Sequence, residues 1–218
     1  MHTAIDIEKT EAFENASFVT QIDRLSTIHQ QNKNIAIYER DVDHLVEEIG
    51  KLQYSKIQMR LSGTREELLS KLAVKMKSEE LEVPQIQKDI ETIIKAFEKI
   101  TSAKFFRLHL LSINNNMCSK FHTDINDLRL LCSYSGSGTC WLPSIAVERL
   151  NHQINKSDDE VAYDQRLVQQ ANVGDIVILK GALYPESEGV LHKSPRFEDG
   201  ERNRILLRID TNQFGSFI

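Results

Sequence analysis

Two histidines and one aspartate have the residue types and the spacing of a metal centre. His122 and Asp124 are two residues apart, and side chains two apart on an extended strand project from the same face. With His192 from far along the chain, two imidazoles and one carboxylate could bind one side of a divalent ion and leave other positions open. We therefore predict His122, Asp124 and His192 as metal ligands of a catalytic site. The alternative is a strand-end pair whose hydrogen bonds only stabilise a loop.

One further residue could join this ligand set. Cys118 lies four residues before His122 and would share its face in an unbroken strand. Two imidazoles and a carboxylate suit Fe(II), Mn(II), Co(II), Ni(II) or Zn(II), whereas an added thiolate would favour zinc. The alternative interpretation of Cys118 is a small buried apolar residue.

Cationic side chains near the end of the chain could bind an anion. Alternation along Arg204 to Asp210 places Arg204 and Arg208 on one face. The other face is apolar: Ile205, Leu207 and Ile209. Because the apolar face should pack into the core, we expect the arginines to face the interior of a barrel, where Arg204 could hold a carboxylate bidentately. Lys180 is a competing cation, and the alternative for both arginines is a solvated face with surface ion pairs.

The composition is that of an ordinary globular protein of 218 residues, with 27% charged and 40% hydrophobic residues. The formal net charge of −5 argues against a broad nucleic-acid surface, so no nucleic-acid partner is predicted. No apolar run is long enough to span a bilayer, and the start lacks a basic segment followed by an apolar one. The three cysteines, an odd count, fit a reducing compartment, and we predict a cytoplasmic protein.

Hydrophobic periodicity predicts helices before strands. We expect a polar segment over 1–33 with a short helix within 17–29, and a mainly helical layer over 34–102 that packs on the core. Within that layer, 34–38 reads as a short strand. Helices are predicted for 42–53, for a segment capped by Ser62 or Thr64, and for 84–101.

After Ser102 the period changes from 3.6 to 2, so residues 103–218 should form a β core. Strands are predicted over 105–113, 128–134, 140–142, 176–180, 190–193 and 204–210. Residues 144–172 should combine a helix with a loop. Six or seven short strands with long insertions indicate a barrel or a sandwich.

The order of these motifs resembles a known enzyme class. His122-Thr123-Asp124, Gly174-Asp175, His192 and Arg204 are similar to the ordered landmarks of 2-oxoglutarate-dependent oxygenases. Beyond these landmarks, finer matches over about 100–212 resemble the bacterial domain-of-unknown-function family 1826. They are Phe121 to Asp124, Leu128 to Cys132, Leu179 to Gly181, His192 to Pro195 and Leu206 to Asp210.

The resemblance implies an α+β protein with a double-stranded β-helix core, also called a jelly roll or cupin-like fold, and an N-terminal helical layer. It implies Fe(II) held by the triad, or zinc or another divalent metal, with 2-oxoglutarate as cosubstrate. Arg204 would clamp that cosubstrate, assisted by Arg208 or Lys180. The resemblance thus implies a hydroxylase-type dioxygenase whose prime substrate and oligomeric state the sequence does not identify.

This chain departs from the oxygenase pattern at one position, because Leu206 stands where the clamp often has a serine. Two alternatives therefore stay open on the same fold. One is a non-catalytic protein that binds zinc or iron, and the other is a cupin-like isomerase or hydrolase in which the metal acts as a Lewis acid.

Overall fold

A large mixed sheet of seven strands dominates the computed structural model, which describes residues 13–115, 118–151, 165–197 and 203–211. The described strands are β1 (Ala16–Val19), β2 (Ile35–Tyr38), β3 (Gln58–Gly63), β4 (Phe106–Ile113), β5 (Leu128–Ser135), β6 (Cys140–Trp141), β7 (Gln169–Gln170), β8 (Ile176–Lys180), β9 (His192–Lys193) and β10 (Arg204–Asp210). The order in the large sheet is β1-β2-β8-β5-β10-β4-β3. The pair β1–β2 is parallel, and the other pairs of this sheet are antiparallel.

A small sheet of three strands, in the order β7-β6-β9, packs against one face of the large sheet. Trp141 of β6 is almost fully buried and packs in one cluster with apolar side chains of the large sheet. That cluster is Ala16, Ile35, Ile37, Leu111, Ile113, Leu131, Trp141, Ala171, Val177, Leu179, Val190 and Leu206. We call the face that carries this cluster the inner face of the large sheet.

Helices cover the opposite face of the large sheet. The described α-helices are α1 (Val46–Gln53), α2 (Arg65–Ser78), α3 (Pro84–Thr101) and α4 (Ser144–Asn151), and 3₁₀ helices cover Ile22–His29, Asp43–Leu45 and Gln165–Leu167. The predicted capping box at the start of α2 is confirmed, since Thr64 and Glu67 bond to each other's backbone amides. The apolar side chains of α1, α2 and α3 share one core with the outer face of the large sheet.

Strand alternation separates the two cores as the sequence predicts. On β10, Ile205, Leu207 and Ile209 are buried with the helices, whereas Leu206 belongs to the inner-face cluster. The arginines of β10 therefore share the inner face with Leu206.

Two strands lie where the sequence indicates polar or helical structure. β1 falls within the segment 1–33, where the sequence predicts a helix over 17–29. The helical part of that range is the 3₁₀ helix Ile22–His29. β3 falls within the mainly helical segment 34–102 and forms an edge of the large sheet. Both have weak apolar signals because they are short edge strands with one exposed face, and β3 buries only Met59 among its apolar side chains. The described structure is thus α+β, with strands contributed by both halves of the chain.

In the described part of the chain, every helix is too short or too polar to cross a membrane.

Candidate metal centre and anion cavity

The two histidines of the predicted triad face each other across a backbone bridge. The amide of His122 donates to the carbonyl of His192 at 3.0 Å, and the amide of His192 donates to the carbonyl of His122 at 3.0 Å. Residues that exchange both hydrogen bonds in an antiparallel pair project their side chains to the same face. Their imidazole centroids are accordingly 4.6 Å apart.

Hydrogen bonds to carbonyl groups fix which nitrogen of each ring is protonated. Nδ1 of His122 lies 3.0 Å from the carbonyl oxygen of Lys120, and Nδ1 of His192 lies 3.1 Å from that of Val190. A carbonyl oxygen can only accept, so each Nδ1 carries a proton, and Nε2 is the nitrogen of each ring that faces Asp124. Such a backbone bond is the usual support of a metal-binding histidine.

Asp124 completes the cluster. Its Oδ2 atom lies 3.1 Å from Nε2 of His192, and its Oδ1 atom lies 3.6 Å from Nε2 of His122. One ligand atom from each of the three residues lies within 4.8 Å of the others. Two imidazole nitrogens and a carboxylate that point at one another are a donor set that fits a divalent cation.

An arginine that the sequence analysis did not assign to the site holds this carboxylate. Arg129, on β5, forms ion pairs with Oδ2 of Asp124 and, at 2.6 Å, with Oδ1 of Asp210. Burial by itself would raise the pKa of Asp124. The contact with His192 and the positive charge of Arg129 outweigh it and bring the pKa to about 2. Asp124 is therefore ionised at neutral pH.

A small cavity of about 80 Å³ opens beside the triad. Its lining includes His122, His192 and four cationic side chains: Arg129, Lys193, Arg204 and Arg208. The carboxylates of the described residues are absent from that lining. This cavity suits an anion.

Arg204 is the least satisfied of these cations. Its side chain is buried, with a relative exposure of 6%. Nη2 donates to Oγ of Ser194 at 3.4 Å, whereas the buried Nη1 has no hydrogen-bond acceptor among the described residues. Burial lowers the pKa of this guanidinium below its ordinary value, although arginine remains charged. A buried cation with an unused donor is costly unless an anion binds it.

Local backbone irregularity positions Arg204. The register between β10 and β5 shifts between Ile205 and Leu206, which marks a bulge. Ser135 compensates for it, because its hydroxyl accepts from the amide of Ile205 at 3.1 Å. Gly136 follows with φ +71°, and a Cβ there would lie 3.0 Å from both Cβ and Cγ of Arg204. The stem of Arg204 thus packs directly on a residue that needs to be glycine.

The structure places the other candidate cations differently. Arg208 lines the cavity, but its Nε and Nη2 atoms both bond to Oδ2 of Asp210 at 2.7 Å. Lys180 is buried away from the cavity lining, where its Nζ donates to the carbonyl of Gln30 at 2.9 Å and lies over the ring of Tyr184. Lys180 is therefore not brought to the triad, because the end of β8 points its side chain toward the 3₁₀ helix that ends at His29.

The cysteines lie outside the ligand cluster. Cys118 is exposed and contributes to the cavity lining, but it does not belong to the group of converging ligand atoms found among the described residues. Cys132 is buried, and burial raises the pKa of its thiol to about 12, as expected for a core residue. Cys140 is buried as well, and burial raises the pKa of its thiol.

Two residues at the site carry signals that sequence reasoning could have used. Arg129 lies two residues before Leu131, which belongs to the inner-face cluster, so strand alternation places both side chains on the inner face. Ser194 lies two residues after His192, and its hydroxyl accepts a hydrogen bond from the guanidinium of Arg204. Its contact with Arg204 depends on the path of the chain after β9, which periodicity does not encode.

Comparison with protein families finds one match that covers most of the chain. The family described as "Protein of unknown function (DUF1826)" matches residues 20–210. A search among curated proteins finds no match.

Solved structures show a loose likeness to this chain. A full-length Neurospora crassa protein in complex with alpha-KG and 5-formyluracil is 11% identical, with 88% of this chain and 77% of that chain covered and a TM-score of 0.40. A Pseudomonas putida prolyl-4-hydroxylase is 10% identical, with 81% and 98% covered and a TM-score of 0.35. HygX from Streptomyces hygroscopicus, with nickel and 2-oxoglutarate bound, is 7% identical, with 98% and 89% covered and a TM-score of 0.33. Scores this low carry no function to this chain.

Proposed function

We propose that this chain, which belongs to the DUF1826 family, is a non-haem Fe(II)- and 2-oxoglutarate-dependent oxygenase of the hydroxylase type with a double-stranded β-helix core. The observation that carries the proposal is the convergence of two features on one cavity. His122, Asp124 and His192 form a ligand cluster, and Arg204 offers an unsatisfied buried guanidinium in the same cavity.

The three ligand residues would hold the metal. Both imidazoles are held as the Nδ1–H tautomer by backbone carbonyl groups, so Nε2 of each is ready to bind a cation without a change of tautomer. Arg129 fixes Asp124 in its ionised form and limits its rotation. Fe(II), when bound, would supply the site for oxidative decarboxylation of 2-oxoglutarate and activation of dioxygen.

Arg204 would bind the distal carboxylate of 2-oxoglutarate. The free Nη1 atom and the Ser194 hydroxyl bonded to Nη2 give two donors of the kind that a carboxylate accepts. This serine takes the role of the hydroxyl that Leu206 cannot provide. Arg208 assists as a second positive charge in the cavity wall, whereas Lys180 lies elsewhere.

Apolar side chains form part of the cavity wall. Leu111, Ile113, Leu131 and Leu206 line it together with the cations. In such an environment, charged hydrogen bonds are stronger than in water, because the local dielectric constant is lower. The residues of the chain would thus hold the cosubstrate firmly and protect the reacting groups from solvent.

The two alternatives differ from this proposal in measurable ways. A non-catalytic metal-binding protein and a cupin-like Lewis acid enzyme both need the triad, but neither needs a fixed cation for a second carboxylate. The unused donor of Arg204 therefore favours the oxygenase. A zinc site that includes Cys118 would need the exposed thiol to move toward the ligand cluster.

The test is a calorimetric titration of 2-oxoglutarate into Mn(II)-loaded protein under nitrogen. We expect Arg204→Met to weaken binding by about tenfold to a hundredfold, because a charge-assisted hydrogen bond contributes about 1.5–3 kcal/mol. Metal content should stay unchanged in this variant, since Arg204 is not a ligand. The matched control is Arg24→Met, which removes an exposed arginine from the helical side.

Three outcomes would contradict the proposal. Equal affinity of Arg204→Met and wild type would show that Arg204 is not the clamp. Absence of 2-oxoglutarate binding to wild type, with metal present by elemental analysis, would exclude the oxygenase. Metal retained in His122→Ala and in His192→Ala would exclude the predicted ligands.

A further inference from the structure

A row of two arginines with a histidine between them leads from the cavity to an edge of the large sheet. In the strand register, Leu131 on β5 pairs with Arg208 on β10, Arg208 pairs with His109 on β4, and His109 pairs with Arg60 on β3. Directly paired residues lie on the same face of a sheet. The row thus starts at the cavity wall, which includes Leu131 and Arg208, and ends at the edge strand β3.

The inner face of these four strands is strongly basic. Its arginines are Arg60, Arg107, Arg129, Arg204 and Arg208. Among the residues that these strands place on this face, the carboxylate is that of Asp210. The whole chain carries a formal net charge of −5, so this concentration of positive charge departs from the average of the sequence.

The arginines at the two ends of the row differ in their ion pairs with carboxylates. Asp210 is shared between Arg129 and Arg208, so one carboxylate serves two guanidinium groups. Arg60 is exposed and forms no ion pair with the residues that the structure describes. His109, between Arg208 and Arg60, is half-buried.

The pKa of His109 is affected by the positive charges on this face. Burial lowers the pKa of its imidazole, and the nearby charges of Arg208, Arg60 and Arg129 lower it further, while Asp210 acts in the opposite direction. Burial, together with cations on both neighbouring strands, therefore favours the neutral form of the imidazole. An anion placed over the row would relieve this repulsion.

We propose that the prime substrate of this protein is anionic, and that the row Arg208–His109–Arg60 binds its carboxylate or phosphate group while the rest of the substrate enters the cavity. The inference rests on the proposed oxygenase function for the identity of the cavity, but the anion site itself can be tested without it. Adjacent strands are about 4.8 Å apart, so the backbone of Arg60 lies about 10 Å from that of Arg208. A group bound there belongs to a substrate that extends beyond the 2-oxoglutarate pocket.

The chemistry of the row selects the class of ligand. A guanidinium group matches both carboxylate and phosphate through paired N–H donors, and a neutral imidazole adds a donor or takes up a proton. Apolar substrates gain nothing from this surface. The shared chemistry is therefore a single anionic group, and the experiment distinguishes its two sources.

The experiment follows the ring proton signals of His109 by NMR in Zn(II)-loaded protein, with the signals assigned from a His109→Gln variant. Inorganic phosphate is titrated in one series and N-acetyl-aspartate amide, a monocarboxylate, in another. Each series is run with and without saturating 2-oxoglutarate. We expect one or both probes to shift the His109 signals, and to raise the pKa of the ring, whether or not 2-oxoglutarate is present.

Arg60→Gln should weaken the binding of the probe by about threefold to tenfold, because it removes the unpaired cation of the row. Arg24→Gln removes one exposed positive charge from the opposite side of the sheet and should leave the affinity unchanged. A response to phosphate alone identifies a phosphate-bearing substrate, a response to the carboxylate alone identifies an acidic one, and a response to both supports an unselective anion site.

The proposal is overturned if neither probe shifts His109, or if Arg60→Gln and Arg24→Gln weaken the response equally, since that would reflect the general charge of the protein. Failure of 2-oxoglutarate to bind, with the probe response retained, would count against the oxygenase but not against the anion site. The two proposals can therefore fail separately.

Discussion

At the scale of single residues, the carboxylate of Asp124 depends on a buried guanidinium. Arg129 is 13% exposed and faces two carboxylates, those of Asp124 and Asp210, which are 10% and 7% exposed. A buried charge without its partner is much more costly than the intact pair is favourable. Arg129 should therefore be more important for folding than a surface arginine.

We predict that Arg129→Met lowers the free energy of unfolding of the metal-free protein by about 3–5 kcal/mol, because it leaves the buried carboxylate of Asp124 without its guanidinium and leaves Asp210 with Arg208 alone. Urea denaturation measures this change. Arg24→Met, at an exposed position, should change the same quantity by less than about 0.5 kcal/mol. A loss below about 1 kcal/mol for Arg129→Met would show that water or rearranged side chains replace the guanidinium.

Residue spacing predicted part of this site. Arg204 and Leu206 were expected on the same face of β10, because side chains in a regular strand alternate between the two faces. His122 and Asp124 do converge, but their segment is not a regular strand, since only His122 forms a bridge there. Their approach depends on the bridge to His192, 70 positions later, which spacing alone could not establish.

At the scale of elements, the bulge between β5 and β10 sets the direction of Arg204. Gly136 lies against the stem of that arginine in a left-handed conformation, which other residues adopt only at a cost. The two strands could pair without a bulge, but Arg204 would then lie differently relative to the cavity. The end of β5 would thus contribute to the proposed anion binding without contacting the anion.

We predict that Gly136→Ala weakens 2-oxoglutarate binding by about threefold or more, while metal content stays unchanged, because the added methyl group displaces Cβ and Cγ of Arg204. Calorimetric titration of the Mn(II)-loaded variant measures this affinity. Gly50→Ala is the matched control, since a Cβ at Gly50 in α1 would meet no atom within 4 Å. Wild-type affinity in Gly136→Ala would mean that Arg204 adapts, and the clamp would not depend on the bulge.

The sequence identified long helices and buried strands better than edge strands. α3 has apolar residues along one complete face and a proline at its first position, and these signals are local. β1 and β3 are recognisable only from their partners, because each has few buried side chains of its own. Since Arg60 lies on β3, the basic row was invisible before the register was known.

At the scale of the whole molecule, the candidate metal centre joins parts of the chain that are distant in sequence. The segment that carries Asp124 is held by the turn after β8, because the carbonyl of Asp124 accepts from the amide of Ala182 at 2.8 Å. His192 follows on β9 of the small sheet, and Arg129 ties the carboxylate to β5 and β10 of the large sheet. A metal ion at the triad would therefore connect the two sheets.

Metal binding should consequently stabilise the native protein as a whole. A ligand that binds only the folded state stabilises it by RT ln(1 + [L]/Kd), which is about 2.7 kcal/mol at a hundredfold excess over Kd. For a chain of this size, each kcal/mol corresponds to a shift of about 2–4 °C in Tm. We predict that Mn(II) or Zn(II) at that excess raises Tm by about 5–11 °C, and that a chelator reverses the shift.

Variants decide whether this stabilisation comes from the triad. His192→Ala should lose the metal-dependent shift in Tm, because two ligands bind a divalent ion far more weakly than three, whereas His44→Ala, at an exposed histidine beside α1, should keep it. Differential scanning calorimetry with and without metal measures both. A shift that persists in His192→Ala would place the stabilising ion away from the cavity. A shift that is lost in His192→Ala and kept in His44→Ala would tie the stability of the two-sheet core to the side chains of His122, Asp124 and His192.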